Sequence, residues 1–350
     1  MSIREDVERR EQDALSPLAC LSSDSKGRVM PEAPCPIRTV FQRDRDRIVY
    51  CTAFRRLKHK TQVFLAPMGD HYRTRLTHTL EVSEIARVIA RSLRLNEDLA
   101  EAVALGHDLG HTPFGHGGET ILNEIYPEGF RHSEQSLRVI DVLENKGRGL
   151  NLTHEVRDGI LKHSKGYGEV IPDDLNELAM TMEGRVVRVA DIMAYLNHDL
   201  DDAIRSGVIR ERDIPSVCTN ILGHDHSSRI TTMVRDLIST SVIEEDRIHL
   251  QFSEVVFEAM THLRLFLYNN VYRSERVHRE FVKAKRVLAD LYYYFLDNQD
   301  YLKQKFLEME MGEIPPEISL ERRVCDFMAS ITDRYALSLY EKVFLPSPLV

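Results

Sequence analysis

Residues 77–107, THTLEVSEIARVIARSLRLNEDLAEAVALGH, decide the fold. Val82, Ile85, Ile89 and Leu93 recur at helical spacing and form one apolar stripe, which predicts a helix over about 77–95. His78 lies four residues before Val82, on the stripe and not on the wet side. Asn96 is a good N-cap for a second helix, which carries Leu99, Val103 and His107 on one face. Gly106 and Gly110 flank His107 and Asp108 and are expected to loosen the backbone there. Farther along, Asp191, Tyr195 and Asp199 fall at i, i+4 and i+8 of an amphipathic helix over about 182–204. More helix follows over 253–267, 276–296 and 322–344, strand-like alternation is scarce, and there is no internal repeat. These patterns predict an all-α protein, a helical bundle with a C-terminal helical extension.

Outside that core, residues 1–42 are weakly periodic and hold Pro17, Pro31, Pro34 and Pro36, so the segment is expected to be an extended arm laid over the body. The expected organisation is an arm over 1–42, a core over 43–215 and a helical region packed on it over 216–350. The chain has 350 residues, 43% of them hydrophobic, enough for a sizeable core and unlike a disordered chain. Its first residues, MSIREDVERREQD, are charged where a signal peptide would be apolar, and no apolar run is long enough to cross a bilayer. The five cysteines are scattered, with no CxxC pair, as expected of reduced thiols in the cytoplasm. A net charge of −9 argues against a broadly basic nucleic-acid surface and against long-range attraction of an anionic substrate. A phosphate ligand would need local positive charge or a metal.

The chemistry concentrates in few residues. His78, His107, Asp108 and Asp191 offer two imidazoles and two carboxylates, a mixed set that takes one divalent cation without selecting it. Imidazole suits manganese and other transition metals, and carboxylate also suits magnesium. Four ligands underfill an octahedral ion, which leaves positions for water or a phosphoryl oxygen. His111 and His116 crowd the same loop, and Glu119, three residues past His116, is placed to orient that ring as a proton donor. His132 precedes another helix; taken alone it reads as a solvent-facing residue of the first turn. Arg75, three residues before His78, is placed to stabilise charge on a phosphoryl group, whereas Arg43, Arg45 and Arg47 read as a solvated helix face paired with Asp44 and Asp46. P-loop, GxGxxG and GxSxG signatures are absent.

The stretches FQRDRDRIVYCTAFRRLKHKTQVF, TRLTHTLEVSEIARVIARSLRLNEDL, EAVALGHDLGHTPFGHGGE, HSEQSLRV, LTHEVRDGILKH, VADIMAYLNHDLDD and ITDRYALSLY together resemble the bacterial HD-domain deoxynucleoside triphosphate triphosphohydrolases. The resemblance covers most of the chain. It implies an HD-domain helical bundle and attack of water at the α-phosphorus of a deoxynucleoside triphosphate, releasing deoxynucleoside and tripolyphosphate. By the same resemblance His78, His107, Asp108 and Asp191 would hold the metal, and His111, His116, Glu119 and His132 would surround the α-phosphate. His116 would protonate the departing 5′ oxygen. Gln62 would read the sugar 3′-hydroxyl with Asp199, Tyr195 would pack on the deoxyribose, and Arg75 would contact the phosphates. Some relatives place a lysine after the last metal aspartate, where this chain has Ile192, so Lys58, Lys60 and Arg273 are the candidate phosphate grips. The family also tends to form homo-oligomers, some with regulatory sites that bind an activating nucleotide. Two rival readings stay open: a phosphodiesterase or nuclease on the same metal site, which no tryptophan and 7% aromatic residues disfavour, and a dNTP sensor without turnover, for which a proton donor would have no use.

Overall fold

Helix Glu97–Gly106 shows why the region folds as it does. The Asn96 side chain accepts from the Leu99 amide, Glu97 and Asp98 offset the positive end of the helix dipole, and every residue from Leu99 to Gly106 except Glu101 is buried. The computed structural model describes residues 2–62, 73–164, 174–244, 248–312 and 317–346. Among them the regular elements are helices apart from one short antiparallel pair, Val242–Ile243 with Ile248–His249, and two isolated bridges, Arg28 with Thr153 and Thr61 with Thr74. The all-α expectation holds.

The described residues form two units, each assembled from separate stretches of chain. One comprises 1–48, 78–107 and 152–274. At its centre helix Glu97–Gly106 packs on His154–Lys162 and Met182–Arg205, which also pack on each other. Met182–Arg205 is capped by Thr181, which accepts from the Gly184 amide, and it is buried on most of its surface. Helices His226–Thr240 and Glu254–Leu267 lie against it. The second unit comprises 49–77, 108–151 and 275–350. There the long amphipathic helix Glu275–Asp297 receives Gly115–Ile125, Leu320–Ser330 and Asp333–Phe344. Phe295 meets Phe327 edge-on at 4.8 Å, and buried Asp326 takes the guanidinium groups of Arg138 and Arg322.

Three expectations are corrected. The segment 1–42 is not extended throughout: Ile3–Ala14 is a helix, started by a reciprocal capping box between Ser2 and Glu5, and it contributes no buried residue. The prolines begin only at Pro17, so their effect does not reach that helix. The part beyond it is tied down by carboxylates, since Glu183 accepts from the Cys20 amide and Glu155 from Ser25 and Lys26. The helix expected over 322–344 is two helices, because Ile331 is extended and Thr332 caps the second by accepting from the Tyr335 amide. Finally, Gly106 and Gly110 do not loosen the chain. A Cβ at Gly106 would lie 2.5 Å from Ile160 Cδ1, and one at Gly110 would lie 2.1 Å from the Ser136 backbone nitrogen, so both permit close approach.

Candidate active site

In the first unit, hydrogen bonds to backbone fix which ring nitrogens carry protons. His107 Nδ1 donates to the Ala104 carbonyl at 2.6 Å, and His198 Nδ1 to the Ala194 carbonyl at 3.0 Å. His198 Nε2 is therefore an acceptor, and His78 Nδ1, 3.1 Å away, is its donor. Both His78 Nε2 and His107 Nε2 are thus lone-pair ends. Yet they face each other at 3.4 Å, and Asp191 Oδ1 lies 3.1 Å from His78 Nε2. Acceptors converge this closely where a proton or a metal cation lies between them. Ligands bound at about 2.1 Å to a tetrahedral or octahedral ion stand about 3.0–3.4 Å apart, so these residues fit a divalent metal. Burial pushes the Asp191 carboxyl up, but the close approach of His78, with the imidazoles of His107 and His163 nearby, outweighs it and holds it far below the carboxylate range.

His163 joins this cluster. Its Nδ1 donates to the Ile160 carbonyl at 2.7 Å, its ring meets His107 edge-on at 4.9 Å, and it offers a ligand atom within 4.8 Å of those of His107 and Asp191. Neither His163 nor His198 was assigned a role from sequence, although both lie in the motifs LTHEVRDGILKH and VADIMAYLNHDLDD.

Asp108, the covalent neighbour of His107, belongs to the second unit. Asp108 accepts from Arg75 Nη1 at 2.7 Å, and it offers a ligand atom within 4.8 Å of those of His111 and His132. Arg75 is 1% exposed, and its Nε and Nη2 are buried without a hydrogen-bond partner among the described residues. A guanidinium edge left so is costly unless an anion meets it. Glu119 is the hub. Its Oε1 accepts from both the backbone N–H and Nδ1 of His132 at 2.8 Å, and its Oε2 lies 3.5 Å from His116 Nδ1 and 3.9 Å from His111 Nε2. The Glu119 partnership expected for His116 goes first to His132, because helices Gly115–Ile125 and His132–Arg138 bring those two together. His132 does not face solvent, its side chain being 12% exposed, whereas His116 is 67% exposed.

Charge follows this geometry. Burial alone would lower the His132 imidazolium, but the Glu119 carboxylate against it wins and raises it above the usual histidine value. Burial opposes ionisation of Glu119 too, yet the His132 imidazolium and the hydrogen bonds from His116 and His132 drive that carboxyl far below its ordinary range. His111 goes the other way: burial, with Arg75 and His132 nearby, pushes it well down, so it is neutral. It stacks on His132 at 4.5 Å, and its buried Nδ1 has no partner among the described residues.

An HD-domain family model matches residues 75–196, and a phosphohydrolase-associated-domain model matches residues 250–342. A deoxyguanosinetriphosphate triphosphohydrolase-like protein of Desulfatibacillum aliphaticivorans is 61% identical over 351 residues, covering all of both chains. The chain belongs to this family of HD phosphohydrolases. A protein of the same description from Caldanaerobacter subterraneus is 54% identical over 99% of this chain and 97% of its own, and one from Clostridium tetani is 44% identical over 100% and 98%.

As an HD phosphohydrolase the chain is a hydrolase, and its other predicted positions can be placed on that footing. Gln62 is buried, and its Oε1 has no partner among the described residues, which leave out 63–72 of the adjoining motif. Asp199 is buried and accepts from the Tyr272 hydroxyl at 2.5 Å, a partner from Glu254–Tyr272 that sequence spacing could not supply. Tyr195 is half-buried on the same helix. Arg45 pairs with Asp98 and Glu101, and Arg43 and Arg47 with Glu32, so these arginines are ion-paired as expected. Of the two expected aspartates, Asp46 does pair with Arg45, at 3.5 Å, whereas Asp44 is fully buried and taken by Arg28 and Thr153. Lys60 is no phosphate grip: its Nζ is buried and donates to the His111 and Ala329 carbonyls, and burial beside Arg56 pulls it down to about 7. Lys58 and Arg273 are exposed. No described helix is long and apolar enough to cross a membrane.

Proposed function

We propose that this HD phosphohydrolase is a deoxynucleoside triphosphate triphosphohydrolase, releasing deoxynucleoside and intact tripolyphosphate. The observation that carries the reading is the convergence of the His78 and His107 lone pairs with the Asp191 carboxylate. The substrate class follows the description of the relatives, with which the chain aligns over its full length. In this reading His78, His107, Asp108 and Asp191 hold one divalent ion, manganese or magnesium. The ion would polarise a phosphoryl oxygen and lower the proton affinity of a water.

The remaining residues meet the phosphate and the sugar. Water oxygen bonds to the α-phosphorus and releases one proton to solvent, and the bond from phosphorus to the 5′ oxygen breaks. His116 gives that oxygen its proton, since a sugar alkoxide is a poor leaving group without one. His132, kept protonated by Glu119, and Arg75, through its partnerless edge, take the negative charge on the phosphoryl oxygens. Gln62 and Asp199 read the 3′-hydroxyl, and Tyr195 packs on the deoxyribose.

Pure protein incubated with manganese or magnesium and the four dNTPs, singly and mixed, tests the reading by ion-pair chromatography of the products. Deoxynucleoside plus tripolyphosphate is expected, and turnover confined to the mixture identifies an activating nucleotide. Monophosphate plus pyrophosphate would place the scissile bond elsewhere, and no turnover would remove the proposal.

A further inference from the structure

Two segments of the second unit that carry proposed site residues are fastened to one carboxylate. Asp333 Oδ1 accepts from the Phe114 amide at 2.9 Å. Its Oδ2 accepts from the Thr61 amide at 3.0 Å and also from the Thr61 hydroxyl. Thr61 is the neighbour of Gln62, and Phe114 lies two residues before His116. Although Asp333 opens helix Asp333–Phe344, it does not cap it, because the Thr332 side chain does so. Both of its oxygens serve other segments.

The surroundings show why such a fastening is needed. Phe114 has φ 63°, a left-handed conformation that a side chain like phenylalanine resists and that only external contacts maintain. One residue on, a Cβ at Gly115 would lie 2.5 Å from the Gln62 carbonyl oxygen, so the loop and the 60–62 segment run in direct contact. Lys60 secures the same arrangement from the other side. Its Nζ donates to the His111 carbonyl at 2.5 Å and to the Ala329 carbonyl, four residues before Asp333, at 2.7 Å.

We propose that Asp333 is a positioning residue that holds Gln62 and the His111–His116 loop in register, so that recognition of the sugar and protonation of the leaving oxygen act on one bound substrate. This rests on the roles proposed above for Gln62 and His116. Asp333 itself touches neither substrate nor metal ligand; it works through Thr61 and Phe114.

The test compares Asp333→Asn and Asp333→Ala in the full chain. Asparagine keeps the shape but turns an N–H toward the Thr61 amide, releasing one segment, and alanine releases both. With manganese present, kcat/KM is measured for a dNTP and for its 2′,3′-dideoxy counterpart, beside circular dichroism. Hydrogen exchange is read at the Gln62 amide and at those of residues 115–117, none of which bonds to Asp333. The expected result in D333A is a loss of at least about tenfold in kcat/KM for the dNTP. The preference over the dideoxy analogue should fall at least about fivefold, since an unmatched hydroxyl contact is what discriminates. D333N should change in the same direction by less, and it carries the decision if D333A does not fold. A folded variant with wild-type discrimination overturns the proposal. If the wild type hydrolyses no dNTP, the functional reading fails separately and exchange decides this one. A joint rise of about tenfold at both segments supports it, and a rise at one or neither overturns it.

Discussion

Replacing Glu119 by glutamine tests the electrostatic core of the second unit. The substitution preserves an acceptor for the His132 backbone N–H but removes the charge that Nδ1 meets at 2.8 Å. At an effective dielectric of about 20, an ion pair in contact is worth about 4 kcal/mol. Burial of both groups opposes part of that, leaving about 2–3 kcal/mol for holding His132 as imidazolium. If that charge stabilises the transition state, kcat falls about 30- to 150-fold, with a smaller change in KM. The sign of the pH effect follows from the direction of the shift. Glu119 raises His132, so the wild type keeps its imidazolium to higher pH, and E119Q must lose activity at lower pH on the alkaline side. Steady-state turnover across pH, with the His132 ring followed by nuclear magnetic resonance, measures both. Turnover within twofold of wild type and an unmoved His132 titration would refute the reasoning.

Three further outcomes are expected. Manganese should raise the thermal midpoint of the wild type, corresponding to about 2.7 kcal/mol at a hundredfold excess over Kd, and His78→Ala should remove most of that shift; an equal shift in both would place the ion elsewhere. Gly110→Ala should lower the midpoint by about 2–4 °C, because its Cβ would meet backbone at Ser136 and Gln135, and a wild-type melting curve would contradict the close approach. Burial raises the Glu183 carboxyl from 4.5 to about 7, so it holds a proton in the folded state that the unfolded chain has released. Its contribution is complete below about pH 4.5 and lost as pH rises through 7, a decline of about 3 kcal/mol. Urea titrations at pH 5 and 8 should show that decline in the wild type and not in Glu183→Gln.

Much of this was legible in the chain because it is local. The stripe of Val82, Ile85, Ile89 and Leu93, the Asn96 cap and the i, i+4, i+8 spacing of Asp191, Tyr195 and Asp199 are properties of one helix each, and the helices formed there. The helix Ile3–Ala14 was missed because composition was averaged over a segment whose prolines begin only at Pro17. The break at Ile331–Thr332 was missed because one capping hydroxyl outweighs an otherwise continuous apolar stripe.

The partnerships were of another kind. By itself the sequence determined the helices and the set of imidazoles and carboxylates able to bind a metal. Only the tertiary structure decided that Glu119 serves His132 before His116, that Tyr272 answers Asp199, that His198 orients His78, and that Lys60 spends its charge on backbone carbonyls. Helical periodicity sets which way a side chain points from its own axis. Which group it meets there, and hence which ring keeps its proton, depends on helices distant in sequence, and the packing of whole faces fixes their register.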